Sequence, residues 1–228
     1  MLSRSALTSS ALSTAARIGE GAWLLALPAS YVAGLQVLVR SLVQGHEPAI
    51  LSGKFTAEAF AATALGMTSS VGGTRVPSYT SLVPAQLGTL LDAAPHDPSV
   101  ADALRSFEAI LIGGQALPAA MAARADELGV KIVRTYGSSE TAGGCIYDGV
   151  PLDGVRVREV DGELQLGGPT LADGYLDAPE LTAQVFVHDA GERWYRTGDA
   201  GSFDDGVVRV TGRRDNVIIS GGVNVSLD

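Results

Sequence analysis

Five short apolar runs, spaced by segments of helical length, constrain the fold of this chain more than any other feature. They are Ala22 to Leu27, Ala49-Ile50-Leu51, Ser78 to Val83, Ala109-Ile110-Leu111-Ile112 and Val130-Lys131-Ile132-Val133. Runs this short and apolar read as buried strands. Around them lie helical patterns. Residues 2–18 carry Leu2, Ala6, Leu12 and Ile18 at helical spacing, and Val32 to Val43 follows the same rule. Thr56 reads as the N-cap of a helix to Leu65, with Glu58 in its first turn. Pro84 opens a helix to Asp92, and Pro118 opens one to Leu128 that Gly129 stops. Gly66 to Thr74 reads as a Gly/Ser-rich loop. The alternation implies βαβ units and a mostly parallel sheet flanked by helices.

The texture changes after Cys145. Arg156–Val160, Glu163–Leu166, Trp194–Arg196 and Val207–Thr211 alternate as half-buried strands, and Asp161-Gly162 and Asp205-Gly206 are hairpin turns. The expectation is an α/β subdomain over residues 1–150 and a small antiparallel β subdomain over 151–213.

Chemistry concentrates where strands end. Val130 to Val133 runs into Arg134-Thr135-Tyr136-Gly137-Ser138-Ser139-Glu140-Thr141, which sets polar groups at a sheet's carboxyl edge, where open α/β sheets bind ligands. Tyr136 could face a base, Gly137 allows close backbone approach, Ser139 offers a hydroxyl, and Glu140 is a hard oxygen ligand for Mg²⁺. A plain small-residue turn with a solvated Glu140 fits this stretch equally well. Gly113-Gly114-Gln115 offers backbone groups to a purine or a phosphate, but Gly-Gly is commonly only a turn. Asp199, ending Tyr195-Arg196-Thr197-Gly198-Asp199, could accept from a ribose diol or simply cap its own turn. Gly212-Arg213-Arg214-Asp215 could bring guanidinium groups to a phosphate or form a solvated basic turn. Neither a dinucleotide fingerprint nor a Walker loop is present.

A formal net charge of −9 argues against a nucleic-acid footprint. Cys145 is the single cysteine, so disulfides and cysteine metal clusters are excluded, and a buried filler is its ordinary role. Ala22 to Val43 is broken by Pro28, Ser30, Gln36 and Arg40, so no membrane span is expected. Met1 to Arg17 lacks the apolar core and cleavage site of a targeting peptide. The expected setting is the cytoplasm, and a homodimer is left open.

Taken in order, Gly113-Gly114-Gln115, Tyr136 to Thr141, Gly162-Glu163-Leu164 with Gly174-Tyr175, Tyr195 to Asp199 and Gly212 to Asp215 resemble the adenylate-forming superfamily of acyl-CoA synthetases, adenylation domains and luciferases. The resemblance runs from Leu2-Ser3-Arg4 to Gly221-Gly222-Val223-Asn224-Val225, and Leu27-Pro28-Ala29-Ser30-Tyr31-Val32-Ala33-Gly34 fits the pattern Leu-Pro-x-x-His-x-x-Gly. Tyr79 to Leu87 and Arg134 to Arg158 look like the o-succinylbenzoate–CoA ligases of menaquinone biosynthesis. The resemblance implies an ATP-dependent, AMP-forming acid–CoA ligase using ATP, Mg²⁺ and CoA with a small carboxylic acid. Gly114 and Gln115 would line the purine and Tyr136 would pack on adenine beside Gly137. Ser139 would touch the α-phosphate, Glu140 would hold Mg²⁺, Asp199 would bind the ribose, and Arg213 would reach ribose or phosphate. Glu140 and Arg213 would serve catalysis. Tyr31, Ser81, Gln86 and Gly143 would lie near the acyl pocket. Asp215 would be the hinge, and 214–228 would begin a further domain.

Tyr31 stands where many relatives carry His, and Ser139 where Thr is usual. The family's phosphate-gripping loop would precede Met1, and its C-terminal domain with the adenylating lysine would follow Asp228. The chain is therefore expected to be the core of a larger ligase and by itself to turn over little. Another acyl- or aryl-CoA ligase, or a nucleotide-binding module without turnover, are the competing readings. Arg40, Lys54, Arg75, Lys131 and Arg134 are all open as partners of a second substrate carboxylate.

Overall fold

The computed structural model describes residues 1–214, 217–220 and 223–226. In chain order the elements are α1 (Arg4–Ile18), β1 (Ala22–Leu25), α2 (Val32–Gln44), β2 (Ala49–Ile50), α3 (Ala57–Leu65), β3 (Ser70–Val71), β4 (Thr74–Arg75) and β5 (Ser78–Leu82). Then follow α4 (Pro84–Ala93), α5 (Pro98–Arg105), β6 (Ala109–Ile112), α6 (Ala119–Glu127), β7 (Ile132–Ser138), β8 (Gly143–Tyr147) and β9 (Val150–Pro151). The remainder is β10 (Arg156–Val160), β11 (Glu163–Gly167), α7 (Pro179–Val185), β12 (Phe186–Asp189), β13 (Glu192–Asp204), β14 (Val207–Arg213), β15 (Val217–Ser220) and β16 (Val223–Ser226). The chain divides into two compact units, Ile18–Arg134 and Met1–Arg17 with Thr135–Asp228.

In the unit Ile18–Arg134 the strands run in the order β2-β1-β5-β6 and are all parallel, with the first residues of β7 added beside β6. Leu24, Leu82, Ile110 and Ile112 join one core with Phe60, Leu87, Leu90 and Leu104 from the helices. Trp23 and Tyr79, which alternate with those strand residues, stack on each other at 5.2 Å. Burial on both faces explains why these strands read as continuous apolar runs. Thr56 accepts from the Ala59 amide as an N-cap, as its position suggested. Two elements were not expected. Ser70–Val71 and Thr74–Arg75 pair as a tiny hairpin within the supposed loop. Asp97 caps α5, whose Val100, Ala101, Ala103 and Leu104 are buried.

In the other unit, residues 135–138 of β7 pair antiparallel with β8, and β8 with β9. A second, wholly antiparallel sheet runs β10-β11-β13-β12, with β14 also on β13. Asp161-Gly162 and Asp205-Gly206 both have positive φ at each residue, the geometry two-residue hairpins require. Leu164, Leu166, Phe186, Tyr195 and Val208 form the core of this unit with Cys145 and Ile146. The strand expected at Trp194–Arg196 is the early part of a 13-residue strand, because pairing continues past the Thr-Gly-Asp turn onto β14. Among the described residues no helix is long and apolar enough to cross a membrane.

Candidate functional site

The site grows from an irregularity between β11 and β13. Gln165 pairs with Arg196 and Glu163 with Ala200, so two steps on β11 face four on β13 and Thr197-Gly198-Asp199 is pushed out as a bulge. Bulges re-aim side chains beside functional sites. Glu163, 6% exposed, fixes this one: Oε1 accepts from the Gly198 amide at 3.0 Å and Oε2 pairs with Arg196 Nε at 3.1 Å. Thr197 Oγ1 donates to the Leu164 carbonyl and accepts from the Asp199 amide. The Gly162-Glu163-Leu164 and Thr197-Gly198-Asp199 motifs are thus two halves of one mechanical part.

The bulge presents Asp199 as a hub. The Tyr136 hydroxyl donates to Oδ2 at 2.5 Å, and Arg213 Nη1 lies 3.3 Å from Oδ1. Arg213 faces Asp199 directly across β13–β14 and also donates to the Thr197 carbonyl at 3.2 Å. The carboxylate is 13% exposed and the guanidinium 23%, so their attraction is far less screened than at an open surface. Burial, then the Asp199 charge, pushes the Tyr136 phenol far above its usual range and keeps it a donor. An ionised carboxylate has about four acceptor sites. One carboxylate can therefore hold Tyr136 and Arg213 together.

Glu140 lies in a single helical turn, Ser139–Thr141, directly after β7. Its carbonyl accepts from the Ala172 amide at 2.8 Å, and its Oε1 accepts from the Tyr175 hydroxyl at 2.7 Å. Tyr195 sits within electrostatic reach of Glu140, Asp199 and Arg213, and burial followed by the Glu140 charge drives its phenol upward. Ser139 is exposed. Gly137 is needed for a close approach, here to β8, since a Cβ would stand 2.2 Å from the Gly143 carbonyl. Gly143 is buried at that contact with φ +95°. A cleft of about 740 Å³ is lined by Tyr175, Pro179, Thr182, Phe186 and Arg193 but touches neither Glu140 nor Asp199.

Tyr136, Asp199 and Arg213 are thus brought together, with Glu140 joined through its tyrosine neighbours. Sequence reading missed Tyr175 and Tyr195 as partners of Glu140. The signal lay in the quoted motifs, where Tyr175 follows Gly174, held at positive φ, and Tyr195 opens the Tyr-Arg-Thr-Gly-Asp run.

Five expected residues lie in the unit Ile18–Arg134 and are described there on their own. Gly114 is exposed with φ +80°, and Gln115 beside it is half-buried. Tyr31 is 57% exposed at the start of α2. Ser81 is buried and accepts from Arg40 Nη1 at 3.4 Å. A fifth, Gln86, spends its amide on the fold, accepting from the Val83 amide and donating to the Ala26 carbonyl. Of the five candidate cations only Arg40 is buried, with its guanidinium 4.7 Å over Trp23. Asp215, the expected hinge, lies outside the described residues.

Among the described residues no three His, Cys, Asp or Glu side chains converge as a metal cage. A lone carboxylate suits Mg²⁺ all the same, because that ion is commonly held by one or two carboxylates and the substrate's own phosphates. Glu140 fits that donor set, with Oε1 bonded and the carboxylate partly open.

Tyr136 in the last part of β7, Glu140 just after it, and Asp199 and Arg213 on the paired strands β13 and β14 all belong to the unit Met1–Arg17 with Thr135–Asp228. The chain belongs to the AMP-binding enzyme family, whose profile matches residues 1–176. It is 42% identical over 99% of its length to a Mycobacterium tuberculosis protein named Probable 2-succinylbenzoate–CoA ligase, covering 57% of that protein. An o-succinylbenzoate CoA synthetase from Bacillus subtilis, solved with ATP and magnesium ion, is similar with TM-score 0.79 and 25% identity, over 98% of this chain and 49% of that one. A malonyl-CoA ligase with methylmalonyl-CoA and AMP bound is similar with TM-score 0.83 and 29% identity, over 99% and 52%. The chain therefore spans about half the length of the relatives it matches.

Proposed function

We infer that the whole protein is an AMP-forming acid–CoA ligase acting on 2-succinylbenzoate, with ATP, Mg²⁺ and CoA as the other participants and the cytoplasm as its setting. The observation that carries this reading is the meeting of Tyr136 and Arg213 on Asp199. Side chains 63 and 14 positions from Asp199 share one carboxylate that a bulge has turned outward. Asp199 accepts from the ribose diol, Tyr136 gives its ring to adenine, and Gly114 and Gln115 line the purine. Ser139 meets the α-phosphate. The substrate carboxylate attacks the α-phosphorus, pyrophosphate departs, and the CoA thiol then displaces AMP from the acyl carbon. Arg213 supplies positive charge where it accumulates, and catalysis is positioning and charge stabilisation. Mg²⁺, held by Glu140, would neutralise charge on the phosphates. Tyr31, Ser81, Gln86 and Gly143 are read as lying near the acyl group. Arg40, the buried cation among the candidates, is read as the partner of the second carboxylate.

Likeness to a malonyl-CoA ligase favours a second reading, a short aliphatic dicarboxylate. The whole protein, given ATP and CoA with 2-succinylbenzoate, malonate or methylmalonate in separate reactions, should form succinylbenzoyl-CoA with the highest kcat/KM. Absence of that thioester would overturn the assignment. A charge-assisted hydrogen bond contributes about 1.5–3 kcal/mol. Arg40→Gln should thus raise KM for the diacid by about ten- to a hundredfold while barely changing that for a matched monoacid.

A further inference from the structure

Glu140 carries its metal-facing role on a short turn that would not by itself hold a carboxylate still. Glutamate has three side-chain torsions, and the 3-residue turn Ser139–Thr141 gives it no helix to lie along. What holds it is a strap from later in the chain. The Ala172 amide bonds to the Glu140 carbonyl and the Tyr175 hydroxyl to Oε1, so the one stretch Ala172-Asp173-Gly174-Tyr175 ties both backbone and side chain.

The strap is itself braced. The Tyr175 amide donates to Thr182 Oγ1 in α7 at 2.9 Å, and that hydroxyl donates to the carbonyl of Ala178, the N-cap of α7. Gly174 permits this approach: φ is +153°, and a Cβ there would stand 2.5 Å from Thr182 Cγ2. The Tyr175 ring rests on Phe186 at 6.0 Å, and Phe186 rests on Tyr195 at 5.5 Å. Arg193 lies over Phe186 at 4.2 Å and donates to the carbonyls of Ala172 and Asp173. The phenol oxygen is therefore fixed from the ring, from the amide behind it and from the carbonyls before it.

We propose that Tyr175 is the positioning residue for Glu140, holding one carboxylate oxygen by its hydroxyl so that the other is presented to the divalent cation. This rests on Glu140 as the Mg²⁺ carrier. Outer hydrogen-bond partners of metal-binding carboxylates fix ligand orientation, and losing one weakens metal binding about ten- to a hundredfold. α7 and Gly174 thereby acquire a role, since they serve the tyrosine that serves the glutamate.

The test is Tyr175→Phe in the whole protein, which keeps the ring on Phe186 and removes only the hydroxyl. Mn²⁺ binding in the presence of ATP, read from the free-ion electron paramagnetic resonance signal, should weaken about ten- to a hundredfold. Near-ultraviolet circular dichroism should stay unchanged. Raising Mg²⁺ should restore kcat to within about threefold, so the loss appears in the apparent KM for metal. In a Glu140→Gln background the same substitution should have no further effect. Unchanged Mn²⁺ affinity in Tyr175→Phe, with weakened affinity in Glu140→Gln, overturns the proposal and leaves the ligase reading standing. Unchanged affinity in Glu140→Gln overturns the metal role of Glu140 and the proposal with it. A full additional loss in the double variant shows that Tyr175 acts elsewhere.

Discussion

At the scale of single residues, burial decides which charges matter. Asp199 and Arg213 are 13% and 23% exposed, whereas Arg105 and Asp102 form a pair at 48% and 67% on α5. Exposed pairs contribute about 0–1 kcal/mol. A shielded guanidinium left without its carboxylate costs more, though the partial exposure here keeps the figure below that of a fully interior pair. Asp199→Asn should lower the unfolding free energy by about 1–3 kcal/mol, and Asp102→Asn by less than about 0.5 kcal/mol. Urea midpoints at constant m-value check both, and equal effects would show that the hub is more solvated than its geometry implies. Asp199→Asn should also weaken nucleotide binding by isothermal calorimetry. At this scale Asp199, Arg213, Tyr136 and Glu140 could each be singled out from the sequence, because each reads there as a functional group where an apolar run gives way to a turn. Their mutual distances could not. The Tyr136–Asp199 bond joins residues 63 apart, and only a bulge whose existence depends on the partner strand brings it about.

At the scale of elements, apolar runs announced the parallel strands because a strand buried on both faces has no polar alternation to confuse with anything else. Helix α7 was silent for the opposite reason: none of its residues is buried, so it carries no apolar stripe. The tail of β13 was hidden by Thr-Gly-Asp-Ala-Gly, which by composition is a turn and in the fold is a bulge within a continuing strand. Glycines test this level well, because a helix can hold them for opposite reasons. Gly34, in the first turn of α2, has no room for a Cβ, which would stand 2.3 Å from the Pro28 carbonyl. Gly88, inside α4, would meet only the flexible end of Met121 at 3.3 Å. Alanine is favoured over glycine in a helix by about 1 kcal/mol. Gly88→Ala should therefore be neutral or stabilising by up to about 1 kcal/mol. Gly34→Ala should instead lose about 1–3 kcal/mol, since backbone cannot yield as a methionine tip does. Thermal midpoints moving in the same direction for both would refute this reading of the Leu27-Pro28 to Gly34 motif.

At the scale of the whole molecule, the two units differ in how many raised groups they hold: in Ile18–Arg134 burial, then the Glu108 charge, raises the Tyr79 phenol, and the other unit holds several such groups. Met1–Arg17 with Thr135–Asp228 contains the Cys145 thiol, which burial pushes up to about 12, and the phenols of Tyr136, Tyr175 and Tyr195, all driven upward first by burial and then by a neighbouring carboxylate, through its charge at Tyr136 and Tyr195 and through the hydrogen bond to Glu140 at Tyr175. In the unfolded chain a thiol ionises near about 8.5 and a phenol near about 10. Above those values the unfolded state binds fewer protons than the folded one, so unfolding free energy falls as pH rises. The contribution of these groups is complete below about pH 8.5 and is lost progressively above it. Nature supplies one reporter per unit, because the two tryptophans are Trp23 in Ile18–Arg134 and Trp194 in the other unit. Variants keeping only Trp194 or only Trp23 should unfold in urea at midpoints that separate as pH goes from 8 to 11, with the Trp194 midpoint falling faster. Cys145→Ala should flatten the first part of that fall, between about pH 8.5 and 10, and leave the tyrosine-dependent part in place. If the Trp194 midpoint falls no faster over this range than that of Trp23, the raised values of these buried groups do not describe the folded protein.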